Sequence, residues 1–138
     1  MILLDTNVVS ELIRPNPDPK VEAWLAEQYF ANVFLTVISE AELRYGVAIM
    51  PAGIRRDRLA NEIEGMLRED FAGRILAFDS ECARAYAVIA SDRRAAGLPI
   101  HHADCQIAAT ARARGAKIAT RNVADFHGCG VDVINPWE

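Results

Sequence analysis

Short apolar segments alternate with helix-forming segments along the chain, and this alternation constrains the fold more than any other feature. Each apolar segment is short and mostly continuous, as strands buried on both faces of a sheet usually are. The segments between them repeat apolar residues at helical spacing or begin with residues that cap helices. We therefore expect an α/β protein with a mostly parallel central sheet covered by helices on both faces.

The boundaries of the predicted elements follow from caps and breakers. Strands are predicted over 2–4, 32–38, 74–78, 116–120 and 131–134. Helices are predicted over 6–13, 19–30, 39–50, 54–71, 80–97 and 102–114. Asp18 and Asp79 are expected to cap the helices that follow them, and Gly115 is expected to end the last helix. The apolar residues of the second helix are expected to share one face, comprising Val21, Trp24, Leu25 and Tyr29.

Length, charge and cysteine content narrow the class of protein. A chain of 138 residues is expected to form one domain, residues 1–138. No apolar run approaches the ~20 residues of a membrane helix, and residues 1–13 lack the basic flank of a signal peptide. Three widely spaced cysteines form no disulfide framework, which favours the cytoplasm. With a net charge of −4, binding of nucleic acid would require local arginines or a metal ion.

Acidic residues follow or flank several of the predicted strands. Asp5 directly follows the first strand, and Glu42 lies one turn into the helix after the second. Asp104 lies in the first turn of the helix before the fourth strand, and Asp125 follows that strand. Ligands of parallel sheets bind outside the carboxyl ends of the strands, so we expect these acids to lie near one edge of the sheet.

Clustered carboxylates repel one another and resist ionising together. A divalent cation removes this conflict, and Mg²⁺ and Mn²⁺ prefer carboxylate and water oxygens. Each acid also has a purely structural interpretation. Asp5 could cap the next helix, Ser39 and Glu42 match a capping box, and Asp104 suits a helix N-terminus.

A small basic cluster begins the fourth predicted helix and consists of Arg55, Arg56 and Arg58. Two interpretations remain open for it. The cluster is either a solvated helix face or a contact for phosphates.

Four segments together resemble the PIN-domain ribonucleases, and in particular the VapC-type toxins of the FitB-like branch. They are "LLDTNVVSEL", "ISEAELRYGV", "ADCQIAATARARGAKIATRNVADF" and "VINPWE". The resemblance implies a three-layer α/β/α sandwich in which Asp5, Glu42 and Asp104 hold the catalytic metal. Thr6 and Thr120 match positions that support the site by hydrogen bonds. The fourth acidic position of many members is Asn122 here, and Asp125 is the nearest substitute.

The same resemblance implies a Mg²⁺- or Mn²⁺-dependent endoribonuclease that acts as a toxin. It further implies a homodimer and a small VapB- or FitA-like antitoxin that blocks the site and binds DNA. Two alternatives are a PIN nuclease that acts on structured DNA or in RNA processing, and a catalytically weak PIN-like module within a DNA-bound complex. The amide at Asn122 favours the weak module, whereas the intact Asp5, Glu42 and Asp104 argue against it.

Overall fold

A sheet of five parallel strands forms the centre of the computed structural model, which describes residues 1–138. The strands are β1 (Ile2–Leu4), β2 (Val33–Thr36), β3 (Ile75–Leu76), β4 (Lys117–Ala119) and β5 (Val133–Ile134). Their order across the sheet is β3-β2-β1-β4-β5, and every neighbouring pair is parallel. The predicted parallel α/β architecture is therefore confirmed.

Six α-helices connect and cover the strands. They are α1 (Thr6–Leu12), α2 (Pro19–Ala26), α3 (Val37–Ala48), α4 (Ile54–Gly65), α5 (Ser80–Ala95) and α6 (His102–Arg114). The Asp18 and Asp79 side chains accept the N–H groups of Lys20 and Cys82, as expected of N-caps. Gly115 ends α6 in the left-handed conformation, at φ 65°. None of the helices combines the length and apolar character that spanning a membrane would require.

The two faces of the sheet are covered by different helices. Side chains alternate between faces along a strand, so Ile2 and Leu4 point to one side and Leu3 to the other. On the side of Ile2 and Leu4, the core contains apolar residues from α1, α2, α3 and α4. On the side of Leu3, it contains residues from α5 and α6. These two cores and the sheet between them form the predicted three-layer sandwich.

The predicted boundary between β2 and α3 was wrong. The strand ends at Thr36, and the helix begins at Val37, two residues before the predicted start at Ser39. Val37 and Ile38 are β-branched and apolar, which favours a strand locally. The Thr36 hydroxyl, however, accepts the Ser39 N–H at 3.1 Å and begins the helix earlier.

The second and fourth helices are shorter than predicted. α2 ends at Ala26, so Tyr29 does not belong to its apolar face and is 80% exposed. α4 ends at Gly65, and a wider π-helical turn (Met66–Asp70) follows it. Phe71, which was predicted to end this helix, caps that turn and is buried against the core.

Candidate metal site

Asp5 lies at the carboxyl end of the central strand, β1, and hydrogen bonds fix its carboxylate. Its backbone N–H donates to Ala119 O at 2.9 Å, so the pairing of β1 with β4 extends to this residue. Its Oδ1 accepts the Thr6 N–H at 2.8 Å. Its Oδ2 accepts the Thr120 hydroxyl at 2.8 Å and the Asn7 amide at 3.2 Å. Asp5 is therefore the N-cap of α1, but its bonds reach well beyond that role.

Glu42 lies on α3, on the β2 side of Asp5. The Thr6 hydroxyl donates to Glu42 Oε1 at 2.7 Å and lies 3.0 Å from Ser39 Oγ. A hydroxyl donates one hydrogen, so the Ser39 hydroxyl donates to Thr6 in turn. The capping-box interpretation is wrong, because Ser39 lies inside the helix and Thr36 already accepts its N–H. The Glu42 carboxylate is thus directed towards the end of β1.

The residues after β4 close the other side of the site. Thr120 is fully buried, and its hydroxyl oxygen accepts the Asn122 N–H at 3.0 Å while donating to Asp5. Asn7 Nδ2 lies 3.3 Å from the same oxygen, and Asn7 Oδ1 accepts the Arg121 N–H at 3.4 Å. Thr120 therefore links the segment after β4 to the central carboxylate.

Asp125 lies in a 3₁₀ turn, Val123–Phe126, that brings it back towards the sheet edge. The Asp125 N–H donates to Asn122 O at 3.0 Å and closes this turn. Asp125 could contribute to a metal site only if residues 122–125 formed such a turn. Burial raises the pKa of Asp104, the charges of Asp5, Asp125 and Glu42 add to this effect and His101 opposes it, so that the pKa is about 6. The four acids therefore form one electrostatic group, which we call the acidic cluster: Asp5, Glu42, Asp104 and Asp125.

Burial also raises the pKa of Asp5. Hydrogen bonds from Thr120 and Thr6 oppose this effect, whereas the charges of Glu42 and Asp125 add to it. The hydrogen bonds to Asp5 therefore offset only part of the effect of burial and of the neighbouring negative charges on its pKa. A cation bound among the four carboxylates would relieve this repulsion.

The donor set of the acidic cluster fits a hard divalent cation. Its ligands are carboxylate oxygens, which Mg²⁺ and Mn²⁺ prefer. No group of three or more His, Cys, Asp or Glu side chains lies close enough together to hold a metal ion by direct contacts alone. Mg²⁺ usually binds through one or two carboxylates and keeps several waters. The arrangement therefore suits a cation held partly through water.

Two residues of this network were not predicted as site residues from the sequence. Asn7 bridges Asp5, Thr120 and the Arg121 backbone. Ser39 supports the hydroxyl that holds Glu42. Asn7 directly follows Asp5 and Thr6 in the sequence, and this position is the signal that could have indicated it as a site residue. The Ser39 signal was misinterpreted as a cap.

A groove of about 890 Å³ runs from Thr6 and Glu42 between α1, α3 and α4. Apolar side chains such as Leu43 and Leu59 line part of it. The guanidinium-bearing residues Arg14, Arg55 and Arg58 also line it. Two members of the predicted basic cluster therefore face this groove, which we call the α1–α4 groove, and Arg56 does not.

Comparison with known families identifies this arrangement. The sequence model of the PIN-domain family matches residues 2–127 of this chain. The chain belongs to the PIN-domain family. It is 46% identical to a VapC ribonuclease, Y4jK, of Sinorhizobium fredii over 100% of this chain and 99% of that protein. It is 44% identical to the toxin FitB of Neisseria gonorrhoeae, with 99% of each chain covered.

A solved structure of FitAB bound to the IR36 DNA fragment has the same fold as this PIN-domain chain. The two superpose with a TM-score of 0.94 at 43% identity, covering 100% of this chain and 96% of the other. The resemblance in fold extends over the entire sheet and all six helices, including the elements that position the acidic cluster.

Proposed function

We propose that residues 1–138 act as a single nuclease domain, a metal-dependent endoribonuclease toxin that hydrolyses RNA phosphodiester bonds. The observation that carries this proposal is the acidic cluster, in which hydrogen bonds hold the Asp5 carboxylate at the carboxyl edge of the sheet and the charges of the other acids act on Asp104. Relatives named as a VapC ribonuclease and as a toxin support the choice of RNA and the toxin role. The cofactor is Mg²⁺ or Mn²⁺.

In this proposal Asp5, Glu42 and Asp104 hold the cation directly or through water. Thr6 and Thr120 orient the Glu42 and Asp5 carboxylates through hydrogen bonds of 2.7 and 2.8 Å. When bound, a divalent cation supplies Lewis-acid chemistry that activates water and polarises a phosphodiester. The neutralised cluster then admits a polyanion, although the chain has a net charge of −4.

The proposal has a direct test in purified protein. Total cellular RNA is incubated with wild type in chelator, and Mg²⁺ is then added back. We expect cleavage only after the addition, and an Asp5→Asn variant should remain inactive under both conditions. Cleavage that continues in chelator, or that persists in Asp5→Asn, would contradict the proposed metal chemistry.

Asn122 and Asp125 give a second test. Many family members carry a negative charge at the position of Asn122, and this charge is missing here. We propose that Asp125 supplies part of that charge; the turn that holds it supports this. Asp125→Asn should weaken Mn²⁺ binding, and Asn122→Asp should restore it in the double variant. Titration calorimetry with Mn²⁺ measures both effects. If Asp125→Asn binds Mn²⁺ as wild type does, the site operates with three acids.

We also propose a small VapB- or FitA-like antitoxin as partner, which blocks the site and binds DNA. The solved FitAB complex with DNA supports this assembly. The α1–α4 groove offers apolar surface and three arginines that suit an acidic, partly apolar segment, and Glu42 also lines it. The toxin itself is expected to be a homodimer in the cytoplasm, where its three cysteines, all buried and unpaired, remain reduced.

Inhibition by this partner should compete with metal. An Arg or Lys of the antitoxin would enter the acidic cluster, since a guanidinium binds carboxylates in a bidentate manner. Saturating Mn²⁺ should therefore weaken partner binding, and Asp5→Asn should weaken it as well, as measured by surface plasmon resonance. A partner affinity that is unchanged in both experiments would contradict this mechanism.

A catalytically weak binding module is the second candidate. Two observations favour it: position 122 is an amide, and no three acids lie close enough together to hold a metal ion by direct contacts alone. Such a module would bind its antitoxin and the DNA-bound complex but would not cleave RNA when Mg²⁺ is added. The RNA experiment above therefore separates the two candidates.

A further inference from the structure

Arg93 is a buried cation without a carboxylate partner. It lies near the C-terminal end of α5 and is only 8% exposed. The ion pairs of the chain involve other arginines: Arg14, Arg44, Arg68 and Arg114. Burying an unpaired guanidinium is unfavourable unless other acceptors satisfy its N–H groups. Specific acceptors must therefore hold this side chain.

Backbone carbonyls serve as those acceptors. Arg93 Nε donates to Leu98 O at 2.6 Å. Its Nη1 donates to His127 O at 2.6 Å and to Asp125 O at 3.1 Å. Leu98 belongs to the connection that leads into α6, and the other two acceptors belong to the turn after β4. One side chain thus joins the connection that leads into α6 to the turn that carries Asp125.

The chain after the turn passes beside the Arg93 side chain. Gly128 has φ +74°, and a Cβ at this position would lie 3.9 Å from Arg93 Cδ. Phe126 is 1% exposed and anchors the same turn in the core beneath α5 and α6. Asp125 directly precedes Phe126 and is itself exposed. The backbone of Asp125 is therefore held by contacts that its own side chain does not make.

We propose that Arg93 is a positioning residue for the acidic cluster. It fixes the turn of Asp125 relative to the first turn of α6, which carries Asp104, and thereby sets the affinity of the cluster for a divalent cation. This inference rests on the proposed function, because it takes the cluster to be the metal site. All of its hydrogen-bond acceptors are backbone carbonyls, so Arg93 acts through the backbone.

Arg74 provides a matched control on the opposite side of the molecule. It also donates to backbone carbonyls of two segments, namely those of Phe30, Val33 and Asp70. Arg74 lies in the connection from β2 to β3. Its guanidinium lies 4.5 Å from the centroid of the Phe30 ring. Arg74→Lys therefore removes a comparable set of bonds without touching the connection into α6 or the turn of Asp125.

The test compares Mn²⁺ affinity and melting temperature in Arg93→Lys and Arg74→Lys. Lysine keeps the charge but replaces the planar guanidinium with a single ammonium. We expect both variants to melt at lower temperature. Only Arg93→Lys should lose Mn²⁺ affinity, by about tenfold or more, the scale typical of residues that orient metal ligands. Arg93→Lys that binds Mn²⁺ as tightly as Arg74→Lys does would overturn the inference.

Two further variants keep the test decisive if Arg93→Lys does not fold. Gly128→Ala strains the same turn from its other side and should weaken Mn²⁺ binding in the same way. In an Asp125→Asn background, Gly128→Ala should cost less Mn²⁺ affinity than in wild type, since the two effects share one route. Full additivity would overturn the inference. A wild type that binds no Mn²⁺ would overturn the proposed function itself, whereas binding with an unaffected Gly128→Ala would overturn only this proposal.

Discussion

Replacing Asp104 by asparagine should abolish cleavage and yet make the metal-free protein more stable at neutral pH. Burial and the neighbouring acids raise the pKa of Asp104 to about 6, so its carboxylate is unfavourable in the metal-free fold at pH 7. The pKa of Asp104 is higher in the folded than in the unfolded protein. The contribution of Asp104 to stability is therefore complete below about pH 4 and is lost as the pH rises through about 6. The asparagine carries no charge and avoids that loss.

The measurement is the melting temperature of wild type and Asp104→Asn at two pH values, with and without Mn²⁺. Without metal, the variant should melt higher than wild type at about pH 7.5, and the difference should shrink at about pH 4. A cation present at about 100 times its dissociation constant adds about 2.7 kcal/mol of stability, so Mn²⁺ should raise the melting temperature of wild type but hardly that of the variant. Equal rises in both proteins would remove Asp104 from the metal site.

Asp79 is a control of opposite sign. It caps α5 and pairs with Arg114, and its hydrogen bonds with Cys82 lower its pKa to about 2. Because the pKa of Asp79 is lower in the folded than in the unfolded protein, its carboxylate stabilises the fold at pH values above the unfolded pKa. That contribution to stability is lost only as the pH falls through about 2. Asp79→Asn should therefore lower the melting temperature at neutral pH and leave the response to Mn²⁺ intact.

Glu42→Gln should cause a loss of cleavage as severe as that of Asp104→Asn with little change in stability. The glutamine carbonyl can still accept the Thr6 hydroxyl, which donates to Glu42 Oε1 at 2.7 Å, so the side chain keeps its place. What disappears is the negative charge directed at the end of β1. We expect cleavage to fall by at least about 100-fold, while the free energy of unfolding changes by less than about 1 kcal/mol, the scale of one hydrogen bond.

Glu40 is the matched control for this substitution. It lies two residues earlier on α3 and forms an ion pair with Arg44 at 2.8 Å on the helix surface. Glu40→Gln removes the same charge from the same helix, and surface pairs of this kind contribute little. Cleavage by Glu40→Gln should remain close to that of wild type. Comparable activity of the Glu42 and Glu40 variants would show that Glu42 serves only the fold.

The order of strands and helices could be predicted from the sequence because local patterns determine it. Asp18, Asp79 and Gly115 act at helix ends through bonds to residues close in sequence, so their roles are readable locally. The start of α3 was not readable in this way. Val37 and Ile38 favour a strand by composition, and only the Thr36 hydroxyl overrides that preference.

The detail of the acidic cluster depends on contacts between residues that are distant in sequence. The Thr6 hydroxyl reaches Glu42 across 36 positions, and Thr120 reaches Asp5 across 115. Spacing alone places these residues at one edge of a parallel sheet but gives no bond between them. The same applies to Arg93, whose acceptors Asp125 and His127 lie 32 and 34 positions away. Strand ends and motif resemblance predict the acids, but they do not reveal the hydrogen bonds that hold them.

The chemistry of the cleaved ends tests the central claim most directly. Wild type should be incubated with RNA and Mg²⁺, and the product termini should be mapped by sequencing and by their ligation requirements. Attack by a metal-activated water predicts a 5′-phosphate and a 3′-hydroxyl at each cut, and none of these cuts in Asp5→Asn. Products that carry a 5′-hydroxyl and a 2′,3′-cyclic phosphate would show that the ribose hydroxyl attacks instead, and would contradict hydrolysis at the acidic cluster.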